Sequence, residues 1–369
     1  MNDRWLAKKT QEIEVSGIRK VFDLAAKLRD PVNLSIGQPH FDVPEPIKTA
    51  AQEAIAAGRN AYTVTQGIAE LRTRLRADLP QPAAEREVLI TNGTSGALAL
   101  ALFTILDPGD EVIVFDPYFV MYPHFVTLAG GRTVLIDTYP DFDIDPERVK
   151  KAIGPRTKAI IVNSPANPTG KVYGAEILRD LARLAADRNV LLISDEVYRA
   201  FCYDAPFVSP LDYNPDTLVV DGFSKKYGMT GWRLGYCHGP RRLIEEMTKL
   251  QQFTYVCAPS IVQHAGVVAI DCDVSAHVAD YRCKRDRIVE GLKDHIELSR
   301  PGGAFYAFPR APWGTGSDFV AEAIRNNLLI IPGGTFSKQD THFRISYAAS
   351  DATLDRGLEI LRRLAKHAV

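Results

Sequence analysis

The chain has almost no net charge, no paired-cysteine motif and no apolar run of membrane-spanning length, and each absence removes a class of function. Its 44 Lys and Arg residues are offset by 45 Asp and Glu. Such a balance exerts no general pull on nucleic acid or an anionic membrane, so the expected partner is a small molecule. The five cysteines, Cys202, Cys237, Cys257, Cys272 and Cys283, are odd in number and contain no C-x-x-C pair to hold zinc or run redox chemistry. They are expected to be reduced, buried thiols, and no metal is expected. The stretch from Met1 to Thr10 is polar and lacks the apolar core of a targeting segment, which makes the cytoplasm the expected location. Internal repeats, low-complexity tracts and long linkers are also missing.

What the chain does have is 369 residues, 46% of them hydrophobic, enough for a large core and for two domains. Seven short apolar runs stand out: Val88 to Thr91, Glu111 to Phe115, Thr133 to Asp137, Ala159 to Asn163, Val190 to Ser194, Leu218 to Asp221 and Leu234 to Cys237. They are rich in Val, Ile and Leu with little alternation, as strands covered on both faces should be. Segments with helical spacing, such as Ser95 to Leu106 and Glu176 to Arg188, lie between them. This alternation predicts an α/β fold with a mostly parallel seven-stranded sheet flanked by helices. Arg241 to Ile270 reads as helix interrupted at Ala258-Pro259. Beyond it come strand candidates at Ala304 to Phe308 and Phe343 to Tyr347, and helix candidates at Asp318 to Asn326 and Asp351 to His367. The expected organisation is an N-terminal arm (residues 1–38) belonging to a small domain, a large domain (39–270), and a small α+β domain (271–369).

In open α/β sheets ligands sit beyond the carboxyl ends of the strands, so the first polar residues after each apolar run carry the information. After the first run comes Asn92-Gly93-Thr94-Ser95-Gly96, which leads into a helix and points backbone N–H groups and small hydroxyls at an anion. Another run ends in Ser164-Pro165-Ala166-Asn167-Pro168-Thr169-Gly170, where two prolines and a glycine fix the backbone around the Asn167 amide. Taken singly, each of these is an ordinary turn. Asp195-Glu196-Val197-Tyr198 sets a carboxylate at the end of a buried strand, and an ionised Asp195 there requires a cationic partner. The strongest signal is Gly222-Phe223-Ser224-Lys225-Lys226-Tyr227-Gly228-Met229-Thr230-Gly231-Trp232-Arg233. Lysines are ordinarily solvated surface charges, but Lys225 follows a buried strand in register with the other polar strand ends.

Ser-Lys-x-x-x-Met-Thr-Gly-Trp-Arg-x-Gly-Tyr, Asn-Pro-x-Gly and Asp-x-x-Tyr resemble the class I pyridoxal-phosphate aminotransferases of fold type I. Ile36-Gly37-Gln38-Pro39, Tyr62 ahead of Gly67, Pro117-Tyr118-Phe119, and Arg344 in Phe343-Arg344-Ile345-Ser346 extend the likeness over nearly the whole chain. The resemblance implies pyridoxal 5′-phosphate as cofactor and a homodimer. Lys225 would hold the cofactor aldehyde as an imine and then serve as general base. Asp195 would pair with the pyridine nitrogen, Tyr198 and Asn167 would bond the ring oxygen, and Phe119 would stack on the ring. Arg233, with Ser224, Gly93, Thr94 and Ser95, would hold the phosphate, and Tyr62 would reach the phosphate of the neighbouring subunit. Arg344 would take the substrate carboxylate, with Gly37 and Asn167 nearby.

Three positions depart from the family pattern. Gly222 stands where many relatives have serine. His40 replaces a common aspartate. Ser95 occupies the position where an aspartate-specific branch carries lysine. The expected activity is ping-pong transfer of an amino group between an L-amino acid and a 2-oxo acid. The alternatives are a C–S β-lyase of the same fold and, in another class, a non-catalytic ligand-sensing domain, for whose DNA-binding module the arm before Ile36 leaves no room.

Overall fold

The structure is a computed structural model that describes residues 3–13, 17, 28–79 and 85–366. Part of the N-terminal arm therefore lies outside the described residues. All seven predicted runs are strands of one sheet. In chain order they are β2 (Arg86–Asn92), β3 (Glu111–Asp116), β4 (Arg132–Asp137), β5 (Thr157–Asn163), β6 (Leu191–Asp195), β7 (Leu218–Gly222) and β8 (Leu234–Pro240), following a short β1 (Val32–Asn33). The spatial order is β2-β8-β7-β6-β5-β3-β4. Only β8 runs against its neighbours, β2 and β7, and the other pairings are parallel. Sandwiched strands have no solvent face, which is why these runs show no polar alternation.

Two helix types cover the sheet. The helix Gly93–Ile105 buries Ala97, Leu98, Leu100, Ala101 and Leu102. Beyond its first turn it is apolar on nearly every face, as a largely enclosed helix should be, with Phe103 the exposed exception. The helix Ala175–Asp187 instead turns Leu178, Leu181, Ala182 and Ala185 inward and leaves a polar outer face. The long helical segment after β8 divides into Arg241–Thr254 and Ser260–Ala269. Val256 at φ 66° and Pro259 stand between the two, and neither continues an α-helix.

A second core lies beyond the sheet. It gathers Val32 and Leu34 with Tyr281, Ile288, Phe305, Phe319, Phe343, Leu354 and Leu358. Its framework is the helix Ser275–Leu292, with helices Gly316–Arg325 and Asp351–Ala365 and the short strands β9 (Tyr306–Ala307), β10 (Leu328–Leu329), β11 (Ile331–Pro332) and β12 (Phe343–Ser346). β12 pairs antiparallel with β9 and β11, while β1 pairs parallel with β10. The end of the arm, residues 32–34, is thus built into the small α+β unit, and Ser346 N–H donates to the Leu34 carbonyl at 2.8 Å. Val197, Tyr198, Phe201 and Tyr203, which follow the central strand β6, belong to this same core and tie it to the carboxyl end of the sheet.

One expectation needs correction. All five cysteines are free thiols, but only Cys237 is buried; Cys202, Cys257 and Cys272 are partly exposed and Cys283 is exposed. Cys237 lies on an enclosed strand, whereas the others sit on helix faces and connections where spacing does not report burial.

Candidate active site

The carboxyl ends of β5, β6 and β7, with the turn after β2, surround a cavity of about 240 Å³. Gly37, Thr94, Ser95, Phe119, Asn167, Asp195, Tyr198, Ser224, Lys225, Arg233 and Arg344 all line it. They come from segments far apart in the chain, and the strand-end register brings them together. Gly93 stands just behind the wall. Tyr62 is not at this cavity and is 84% exposed.

Lys225 lies in a short helical turn, Phe223–Lys226, directly after β7. Its Nζ donates to the Gly37 carbonyl at 2.6 Å and lies 5.8 Å from the Tyr198 ring centroid. Burial first, and then the charges of Arg344 and Arg233, bring its pKa down to about 8, against the pull of Asp195. A lysine at this value has a free amine in useful proportion near neutral pH.

Asp195 ends β6 and is 3% exposed. Its carboxylate accepts from the Tyr122 hydroxyl at 2.6 Å and from the Val197 N–H at 3.3 Å. Burial raises its pKa to about 6 although both bonds favour the ionised form. Among the described residues it has no ion-pair partner, and Lys225 is the cation whose field it feels.

Arg344 on β12 is 1% exposed and carries its charge without a carboxylate partner among the described residues. Nη1 donates to Asn167 Oδ1 at 3.1 Å and Nη2 to the Ser35 carbonyl at 2.8 Å. Its guanidinium carbon sits 4.6 Å from the ring centroids of both Tyr306 and Phe336, and Nε is buried with no partner. A guanidinium held this way is a cation kept in reserve for an anion.

At the other end, Arg233 adopts the left-handed backbone, φ 56° and ψ 43°, which costs a non-glycine residue about 1–2 kcal/mol. That conformation carries its guanidinium over Gly93, where a Cβ would come within 2.5 Å of Nη2. Gly93 itself sits at φ 69° and opens the 13-residue helix, whose first turn has no side-chain cap. Arg233, Thr94, Ser95 and Ser224 all line the cavity, next to the uncapped start of this helix. Gly222 is packed close to Gly235 and Thr94, each 3.2 Å from where a Cβ would stand, so this chain's turn is fitted around glycine.

Sequence reasoning missed three contributors. Tyr122 bonds Asp195, Tyr306 bonds the Tyr198 hydroxyl at 2.8 Å, and the Ser35 carbonyl holds Arg344. Tyr122 belongs to the helix Met121–Leu128 and Tyr306 to a short apolar strand, where each reads as core.

A larger cavity of about 400 Å³ lies behind the Phe223 turn, lined in part by Arg199, Asp221, Lys226 and Tyr236. Its charges already face one another, Arg199 lying 3.8 Å from Glu196 and 4.0 Å from Asp221. It contains none of Lys225, Asp195, Asn167, Arg233 and Arg344, so the chemistry belongs to the smaller cavity. Among the described residues no group of His, Cys, Asp and Glu side chains is arranged to hold a metal ion, and no helix is long and apolar enough to cross a membrane.

A doubly covered α/β sheet with a lysine and a buried carboxylate at its strand ends, facing two arginines that have no carboxylate partner among the described residues, defines an enzyme for small anionic substrates. The family profile described as aminotransferase class I and II matches residues 29–361. The aspartate/prephenate aminotransferase of Thermus thermophilus is 39% identical over 386 residues, which covers 98% of this chain and 99% of the relative. The probable aspartate aminotransferase of Methanocaldococcus jannaschii is 36% identical over 375 residues, covering 97% and 99%. Among solved structures, a single mutant of the Thermus thermophilus aspartate aminotransferase superposes with a TM-score of 0.92 at 38% identity, covering 97% and 99% of the two chains. The chain belongs to the class I and II aminotransferase family and is an aminotransferase. Neither the matching profile nor these relatives support the β-lyase alternative.

Proposed function

We propose that the cavity holds pyridoxal 5′-phosphate and that the enzyme moves an amino group between an L-amino acid and a 2-oxo acid in two alternating half-reactions. The observation that carries this reading is the convergence of Lys225, Asp195, Arg233 and Arg344 on one cavity with no carboxylate among the described residues neutralising either arginine. The residues fit the group. Asp195 offers the buried carboxylate that a protonated pyridine nitrogen needs, and Tyr122 keeps it in place. Arg233, Ser224, Thr94, Ser95 and the helix N-terminus beside Gly93 suit a phosphate dianion. Phe119 stands at the wall to flank the ring, and Asn167 and Tyr198 present polar atoms to its oxygen.

When bound, the cofactor supplies an aldehyde to carry the amino group and a ring that takes up electrons as the substrate Cα loses its proton. Lys225 would hold it covalently and, as a free amine, would move the proton at Cα, for which an amine titrating near 8 is suited. Arg344 takes the substrate carboxylate in a fork-shaped contact, and Asn167 keeps that guanidinium turned toward the cavity. Fixing the carboxylate fixes the direction of the Cα–H bond relative to Lys225.

The enzyme is further proposed to be a cytoplasmic homodimer in which Tyr62 reaches the partner's phosphate site. Tyr62 and Val64, two positions apart, are both exposed large hydrophobic residues (84% and 60%), which supports a covered face in the assembly. The reading is tested by mixing the cofactor-loaded enzyme with an amino acid alone. The cofactor absorbance should change once, stoichiometrically, and return on adding a 2-oxo acid. Continued consumption of amino acid without an acceptor would contradict it.

A further inference from the structure

We propose that neutral His40 is a positioning residue: it clamps the 34–41 segment to the helix Ser275–Leu292, and this segment holds Lys225 and Arg344 through its backbone carbonyls. The proposal rests on the roles given above to those two residues.

Ser35 and Gly37 contact Arg344 and Lys225 only through carbonyl oxygens, at 2.8 and 2.6 Å. No side chain of the segment touches either group in these bonds, so the path of its backbone alone sets both contacts. On the inner side that path is fixed by close packing, because a Cβ on Gly37 would stand 2.7 Å from the Tyr306 hydroxyl. On the outer side it is fixed by His40 and Phe41. The His40 backbone N–H donates to the Tyr281 hydroxyl at 3.0 Å, and its Nδ1 lies 2.9 Å from the same oxygen. Its Nε2 lies 2.8 Å from Lys284 Nζ. Phe41 stacks on His277 with centroids 3.9 Å apart and rings 7° from parallel.

An ammonium group only donates, so Nε2 of His40 must accept and the ring proton must sit on Nδ1, which donates to Tyr281. The Nε2 contact to Lys284, the side-chain half of the clamp, therefore exists only while the imidazole is neutral. The Lys284 side chain is 5% exposed, with Asp280 at 2.7 Å and Asp351 at 3.9 Å as its counter-ions. Arg287 also draws on Asp351, at 3.3 Å. A proton on Nε2 would set a second cation against the buried ammonium, and Asp280, 3.7 Å from Nε2, faces both.

Burial first, then Lys284 and His277, hold the His40 pKa below its ordinary 6.5, while Asp280 and Asp351 pull it upward. For a group with a depressed folded-state value, the stabilisation is complete above the unfolded value and is lost as pH falls through the folded one. The Lys284 contact is therefore intact near neutrality and is lost only as pH falls below the ordinary imidazole range.

The test compares the cofactor-loaded wild type with His40→Gln, which keeps an acceptor for Lys284 but cannot titrate, and His40→Ala, which removes it. KM for the amino donor and amide hydrogen exchange in residues 34–41 are followed between about pH 5 and pH 8. In acid the wild-type KM should rise about tenfold relative to His40→Gln, the scale of one lost hydrogen bond to a charged group. His40→Ala should show the raised KM and faster exchange at every pH, with kcat changed less than KM. A His40→Gln profile that tracks the wild type, or unchanged exchange in His40→Ala, would overturn the proposal. If the wild type transfers no amino group, the functional reading fails by itself. Exchange and the imidazole ¹⁵N shifts then decide the clamp: a proton on Nδ1 at neutral pH supports it, and one on Nε2 refutes it.

Discussion

The Tyr122 hydroxyl donates to Asp195 Oδ2 at 2.6 Å, so the buried carboxylate at the end of β6 is held by a neutral donor and not by a cation. That pairing orients Asp195 but leaves most of the cost of burying its charge in place, and the carboxyl is raised to about 6. The site keeps an unsatisfied charge for a ligand that brings the opposite one.

Asp195→Asn should therefore stabilise the cofactor-free protein. The folded-state value lies above the unfolded 3.8, so ionisation in the folded protein carries a penalty. The penalty is absent below both values, grows between them, and is complete above about 6. Conversion at ~1.4 kcal/mol per pKa unit puts the gain at ~3 kcal/mol near pH 8, with none near pH 3. Urea unfolding at the two pH values measures it, and equal stability at both would remove the penalty from the account.

Gly93→Ala should separate the phosphate from the rest of the cofactor. The added methyl would meet the Arg233 guanidinium at 2.5 Å and would also require φ 69° of a residue with a side chain. Affinity for pyridoxal phosphate should fall by at least ~10-fold, the scale of one charge-assisted bond, while affinity for pyridoxal without phosphate stays the same. Equal losses for both ligands would show that the corner beside Gly93 is not the phosphate site.

Arg344→Lys keeps the charge and loses the fork. A lysine ammonium cannot bond Asn167, Ser35 and a carboxylate in one plane as the guanidinium can. KM for the amino donor should rise by ~10-fold or more with a smaller change in kcat. An unaltered KM would place the carboxylate elsewhere.

Ser95→Lys should shift donor preference. Ser95 lines the cavity at the start of the helix, and its hydroxyl lies 3.7 Å from the Met121 sulfur, an apolar neighbour. A lysine there would bring an ammonium to the substrate, and kcat/KM for aspartate relative to leucine should rise by ~10-fold. No change in that ratio would separate Ser95 from side-chain recognition.

The seven sheet strands were legible because strands covered on both faces must be continuous apolar runs, and Lys225, Asp195 and Asn167 were legible because they follow such runs directly. The boundaries moved by a few residues, as at β6, which extends to include Asp195 itself. The two-residue strands β1, β10 and β11 were not legible, since two residues carry no periodicity. Tyr306 was hidden for a different reason. Its hydroxyl finds Tyr198 from 108 positions away, and its flanking residues read as uninterrupted core. Tyr122 was hidden likewise on a helix whose buried residues it shares with Val126.

The central claim is that Lys225 holds the cofactor. Cofactor-loaded enzyme treated with borohydride, digested and analysed by mass spectrometry should carry the reduced pyridoxyl phosphate on Lys225, and Lys225→Ala should carry none. The adjacent Lys226, whose ammonium lies 4.8 Å from the Tyr227 ring centroid in the larger cavity, serves as an internal control. Label on Lys226 or another lysine, with Lys225 unmodified, would contradict the account.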